Sequence, residues 1–199
     1  MAGVDLAVLA LTFAAIFVVE LPDKTFLATL VLSTKYRPLY VWIGVGLAFT
    51  VQTGVAVALG KAAAFLPETA VHLLALGMFL IGAVILFREG RSHHRDTGEE
   101  YVEQAGEVHG ARVILASFLV LFAAEWGDLS QLLTLSLVAK YDDPVSVFVG
   151  ALGALLTVSA LAVLVGRSLL RVLSLHALHY IGAAVCVLLA ALTAYELVA

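Results

Sequence analysis

Apolar runs at 6–33, 39–60, 70–88, 111–138, 145–166 and 177–198 take up most of the 199 residues. Each is close to or beyond the roughly 20 helical residues that cross a hydrocarbon layer of about 30 Å. Inside such a layer no water serves the backbone, so each run must satisfy its own N–H and C=O groups as an α-helix. The sequence therefore predicts an all-α integral membrane protein with six transmembrane helices. Composition agrees, with 62% hydrophobic and 13% charged residues, against roughly 45–50% and about 25% in soluble domains. The first run reads as a true span and not a cleaved signal, because MAGVDL carries Asp5 and no Lys or Arg. Cys186 lies alone in the sixth run, which excludes an intrachain disulfide. The basic residues are few and dispersed, so there is no nucleic-acid footprint. The expected partners are the lipid bilayer and small ions.

The polar stretch between the third and fourth runs divides the chain into 1–88, a linker at 89–110, and 111–199, all within one membrane domain. Lys35, Arg37, Arg88, Arg91, Arg95, Arg112, Arg167 and Arg171 fall in the connections after spans 1, 3 and 5, whereas the other side holds only Lys61 and Lys140. Basic residues favour the cytoplasmic face. The expectation is a bacterial-type plasma-membrane protein with the linker in the cytoplasm and both termini outside.

Charges inside the first run need a reason. Residues 18–30 read VVELPDKTFLATL and residues 123–135 read AAEWGDLSQLLTL. At a constant offset of 105, Glu20 matches Glu125, Asp23 matches Asp128, Thr25 matches Ser130, and Lys35-Tyr36 matches Lys140-Tyr141; Gly60-Lys61 then meets Gly166-Arg167 at 106. A three-span unit is written twice, and because three is odd the second copy crosses in the opposite sense. The fold expected is two inverted three-helix repeats, an architecture of secondary transporters whose sites lie near the midplane at interrupted helices.

A carboxylate at the bilayer centre costs about 2.5–3.5 kcal/mol even on the lenient scale. Four of them in two facing motifs call for a shared compensation. The i, i+3 spacing puts Glu20 with Asp23, and Glu125 with Asp128, on one helical face. Packed about a pseudo-twofold axis, the four converge on one cavity suited to a hard cation. Pro22 lacks an N–H and so frees the Val18 carbonyl as a further ligand, and Gly127 lets the second helix unwind. Oxygen donors without nearby Cys or His suit Ca²⁺, Mn²⁺ or Mg²⁺ over Zn²⁺ or Cu⁺.

ELPDKTF and EWGDLSQ resemble the paired E-x-G-D-[KR]-[ST] motifs of the manganese and calcium transporter family of bacteria, plastids and the Golgi, the type-two cation/calcium exchangers. The resemblance implies cation/proton antiport of Mn²⁺ or Ca²⁺ with no enzymatic activity or prosthetic group. It implies Glu20, Asp23, Glu125 and Asp128 as the ion-binding acids, with Thr25 and Ser130 beside them. Pro22 replaces the first motif's glycine and Leu129 the second motif's base. The loss of that base bears on substrate and proton stoichiometry.

Plainer readings stand beside these. Lys24 could pair with Asp23 or Glu20 in a structural ion pair, but one lysine cannot neutralise four carboxylates. Gln131 either completes the coordination shell or bonds between helices. Thr25 and Ser130 serve the site or bond back to their own helices. Trp126 is either a wall of the site or core packing. His93, His94 and His109 sit in a solvated linker, and His72, His176 and His179 at span ends. Gly44, Gly46, Gly54, Gly77, Gly82, Gly150, Gly153 and Gly182 read as close-packing positions, and Tyr36, Tyr40, Trp42 and Tyr141 as interfacial aromatics. Rival functions are an intramembrane aspartyl protease using Asp23 and Asp128, a cation channel, and an exporter of another small cation. The protease explains neither glutamate. A homo-oligomer is compatible with each.

Overall fold

Both motif-bearing runs are broken at their charges. The computed structural model describes residues 4–21, 23–63, 67–91, 103–172 and 175–198, with no strand among them. The first run forms α1 (Leu6–Glu20) and α2 (Lys24–Lys35), and the fourth forms α5 (Arg112–Ala124) and α6 (Leu129–Tyr141). Between them lie α3 (Pro38–Ala63) and α4 (Glu68–Arg91), and α7 (Pro144–Val172) and α8 (Leu175–Val198) complete the chain. The bend is 69° between Leu6–Glu20 and Thr25–Lys35, and 72° between α5 and α6.

Local chemistry sets these boundaries. The Asp5 carboxylate accepts from the N–H groups of Ala7 and Val8 at 2.8 and 3.2 Å and starts α1. Pro38 and Pro144 each open a helix, where their missing N–H costs nothing. Asp142 ends α6 in the left-handed region, at φ 47°, a conformation that aspartate tolerates better than most residues. In the turn that follows, the Ser146 hydroxyl and N–H hold the Asp143 carboxyl below its ordinary range. The same hydroxyl accepts from the Asp5 N–H at 2.8 Å, which ties the start of α1 to the start of α7.

Pro38–Ala63, Thr69–Arg88 and Pro144–Leu164 are long and apolar enough to cross a membrane, and the two bent pairs raise that number to five. In the last run the apolar stretch among the described residues, Tyr180–Tyr195, is shorter. Three to five spans are thus supported by length and composition where six were expected. On α4 and α8, Ile81, Val84, Ile181 and Leu188 are exposed, as suits surfaces facing lipid.

The 105–106 offset reappears in the packing. The closest neighbours of Gly44 are the Ile114 carbonyl oxygen, the Ser117 Cβ and the Phe118 nitrogen; those of Gly150 are the same atoms of Leu9, Thr12 and Phe13. Phe13 stacks on Phe17 at 5.8 Å, and Phe118 on Phe122 at 5.4 Å. Lys35 lies over Tyr36, and Lys140 over Tyr141. Thus α1 packs on α7 as α5 packs on α3, while α4 pairs with α8.

Close packing is selective among the glycines. A methyl group at Gly150 would meet the Leu9 carbonyl oxygen at 2.6 Å, whereas at Gly54 or Gly77 it would meet nothing within 4 Å. The close-packing reading is therefore corrected for Gly54 and Gly77, and Gly153 makes only ordinary contacts. Because a backbone oxygen cannot swing aside, Gly44→Ala and Gly150→Ala should each cost about 1–3 kcal/mol. Gly54→Ala should stay within about 0.5 kcal/mol. Melting temperatures of the purified variants in detergent check this ordering. Trp42 also does more than anchor an interface: its Nε1 donates to the Leu156 carbonyl of α7 at 3.3 Å.

Candidate cation site at the two helix breaks

The i, i+3 pairs do not share a helical face, because the helix stops between their members. Glu20 closes α1 and Asp23 precedes α2. Glu125 caps the end of α5 and Asp128 caps the start of α6. Gly127 makes the reversal at φ +79°, where a side chain would be strained. At the head of α6 the Asp128 carboxylate accepts the backbone N–H groups of Ser130 and Gln131 at 3.2 and 3.1 Å. An aspartate there replaces the hydrogen bonds that the first turn of a helix cannot make within itself.

The breaks nonetheless bring the acids together. One carboxylate oxygen from each of Glu20, Asp23, Glu125 and Asp128 lies within 4.8 Å of the others. Glu20 is 1% exposed and Glu125 2%. The Thr25 hydroxyl donates to Glu20 Oε1 at 2.6 Å, and the Ser130 hydroxyl to Asp128 Oδ2 at 2.6 Å. Both hydroxyls therefore serve carboxylates rather than their own helix carbonyls. The second Glu20 oxygen and both Glu125 oxygens are buried with no hydrogen-bond donor among the described residues. Buried oxygens of this kind demand a proton or a cation.

Gln131 does two things. Its Oε1 accepts from the Gly127 N–H at 2.8 Å, bracing the break, and its Nε2 reaches the Gln52 carbonyl at 3.5 Å. It also lines a cavity of about 10 Å³ with Gln52, Thr53, Glu125, Asp128 and Thr134, room for about one water-sized particle. Gln52 and Thr53, on α3, were not foreseen. Their signal is two adjacent polar residues in the middle of the second apolar run.

Other expectations change. Trp126 is 59% exposed and leans on Phe122 with ring centres 5.1 Å apart, so it neither fills the core nor lines that cavity. The Val18 carbonyl faces α8, 3.7 Å from where a Cβ of Gly182 would lie, and Val18 does not line the cavity. Pro22, His93, His94 and the side chains of Lys24, His176 and His179 lie outside the described residues. His109 is exposed and His72 half-buried.

Leu129 points away from the acids. Its Cδ1 lies 2.7 Å from where a Cβ of Gly82 would sit, in the groove where α4 also meets Cys186. Leu129→Arg should therefore force a charge into apolar packing, at about 2.5–3.5 kcal/mol, and lower the melting temperature by several degrees. An unchanged melting temperature would show that the arginine finds the cavity instead.

The sequence profile described as "Divalent cation/proton antiporter GDT1" matches residues 8–94 and again 113–199. The chain belongs to the GDT1 family. The two matched stretches begin and end at the repeat offset. This GDT1 chain is 29% identical over 211 residues to the Arabidopsis thaliana "Protein PAM71, chloroplastic", covering 95% of the chain and 57% of that protein. It is 29% identical over 137 residues to "GDT1-like protein sll0615" of Synechocystis, covering 63% of the chain and 66% of that protein. It is also 28% identical over 194 residues to a Vibrio cholerae protein named "Putative manganese exporter", covering 96% and 92%. The chain thus spans between half and two-thirds of the first two relatives' length. No solved structure matches. The family is one of membrane cation transporters, not enzymes, which removes the protease.

Proposed function

We propose that this GDT1 chain is a secondary transporter exchanging a divalent cation, Mn²⁺ and/or Ca²⁺, for protons, with Glu20, Asp23, Glu125 and Asp128 as shared ligands. The observation that carries the reading is the convergence of four carboxylates within 4.8 Å with three of the glutamate oxygens lacking donors among the described residues. Oxygens that lie within 4.8 Å of one another accommodate a Ca²⁺-sized ion, with oxygen distances of about 2.3–2.6 Å, as well as a smaller divalent ion such as Mg²⁺ at about 2.0–2.1 Å. Carboxylates also suit Mn²⁺, and the name of the Vibrio cholerae relative supports it.

The proposed architecture is two inverted repeats, 1–88 and 111–199, each contributing one bent crossing, α1–α2 or α5–α6, and two straight ones. The bias of basic residues supports a cytoplasmic 89–110 linker with both termini outside. The test is proteoliposomes under an imposed pH gradient, challenged with Mn²⁺, Ca²⁺, Mg²⁺, Na⁺ and K⁺ while internal pH and metal are followed. Mn²⁺ or Ca²⁺ should collapse the gradient as it moves. Metal flux without proton counterflow would indicate a channel, and no response to any divalent ion would sink the reading.

A further inference from the structure

Positions related by the repeat lie on opposite sides of the carboxylates and differ in chemistry. Toward the Lys140 end of α6, the cavity beside Glu125 and Asp128 is lined by the polar side chains of Gln52, Thr53, Gln131 and Thr134, with Phe49 and Leu155 completing its wall. Toward the Lys35 end of α2, the corresponding space is packed with Leu21, Phe26, Leu30, Val158 and Ala162. Phe26 corresponds to Gln131 at the 105 offset, and Val158 to Gln52 at 106, whereas the counterparts of Thr134 and Thr53, Thr29 and Ser159, keep their hydroxyls, so the chemical difference lies at the two glutamine positions. Phe26 and Val158 are each 2% exposed.

The difference matters to an ion. A cation that sheds water needs oxygens to replace it; amides and hydroxyls supply them, and Phe and Val do not. Apolar constrictions hold ions back by excluding water. The two glutamines are also fixed in place. The Gln52 Nε2 donates to the Phe122 carbonyl, in the last turn of α5, at 3.0 Å, and the Gln131 Oε1 is held by the Gly127 N–H. The break of the second motif is thus braced by polar side chains that also face the path, while the first motif is backed by an apolar plug.

We infer that the cation reaches the carboxylates over Gln52 and Gln131, from the Lys140 side, and that Phe26 and Val158 are the barrier closing the Lys35 side. This assignment rests on the transport reading above and adds the route. The halves share a motif but not a gate: one is wettable and the other is dry. Hydrating the dry side should open a continuous path past the acids and turn coupled exchange into a leak.

The test uses thiols and a small thiophilic cation. In a Cys186→Ala background, single cysteines are placed at Thr53 and at Val158, both near-isosteric changes. Metal-free proteoliposomes are exposed briefly to Ag⁺, and the remaining thiol is counted after denaturation. Vesicle orientation is fixed by labelling Thr34→Cys, which is exposed at the Lys35 end, with an impermeant maleimide. Thr53→Cys should react at least tenfold faster than Val158→Cys, and from the face opposite Thr34. Adding Phe26→Gln to Val158→Cys should raise its rate tenfold from the Lys35 face. Equal reactivity at the two positions, reaction of Thr53→Cys from the Thr34 face, or reaction at neither would overturn the route. Because the readout does not depend on which ion is carried, the predicted pattern without divalent-driven proton flux would keep the route and reject antiport. Flux without the pattern would do the reverse.

Discussion

Glu125→Gln should abolish exchange, by at least about a hundredfold, and should also raise the stability of the metal-free protein. The two effects have one cause. Glu125 is buried with neither carboxylate oxygen donated to among the described residues, and three other carboxylates stand within 4.8 Å. Without a cation the gathered acids must stay charged or hold protons, either of which opposes folding, and replacing one of them with a neutral amide should return about 1–2 kcal/mol. With a cation the balance reverses. Wild-type protein at a hundred times the dissociation constant gains about 2.7 kcal/mol from binding, and the variant should gain almost none. Glu20→Gln should lose exchange equally but gain less stability, because Thr25 already donates to one Glu20 oxygen. Melting curves with and without Mn²⁺ or Ca²⁺, beside flux, make the measurement. A structural ion pair would give the opposite pattern: lower stability without metal and flux retained.

The parts of this site legible in the sequence are those that depend on depth and repetition. Glu20, Asp23, Glu125 and Asp128 stand out because charges inside apolar runs are costly, and the 105-residue offset pairs them whatever the local backbone does. Rotational phase was not legible. The spacing argument assumed an unbroken helix, and once the chain stops at Glu125 and restarts at Leu129, i, i+3 no longer fixes where a side chain points. That is why Leu129 faces Gly82 and Trp126 turns outward. Gln52 was missed because one amide in an apolar run reads equally as interhelical glue. Close approach at Gly44, set against open space at Gly54, depends on which neighbour lies across the helix, and no single sequence carries that.

The remaining prediction concerns how many protons the cation displaces. A divalent ion brings two positive charges to a cluster of four carboxylates. A site this buried holds little net charge, since each uncompensated unit costs about 2.5–3.5 kcal/mol or more. Neutrality then calls for two fewer protons on the cluster with the ion than without it, so binding should release about two. Leu129 leaves that difference unchanged: it contributes no charge, and its side chain lies against Gly82 rather than among the acids. Over the range in which the cluster titrates, apparent metal affinity should rise with pH by about a hundredfold per unit, the slope that release of two protons produces. At higher pH, where the empty cluster has already lost its protons, the slope should flatten toward zero. Exchange of two protons for a divalent ion moves no net charge, so the flux should be indifferent to membrane voltage. Calorimetric titration in buffers of different ionisation enthalpy measures the proton count, and valinomycin-clamped proteoliposomes measure the voltage dependence. A slope near one with flux that follows voltage would mean that a net charge crosses with the metal and that the carboxylates do not settle their own balance.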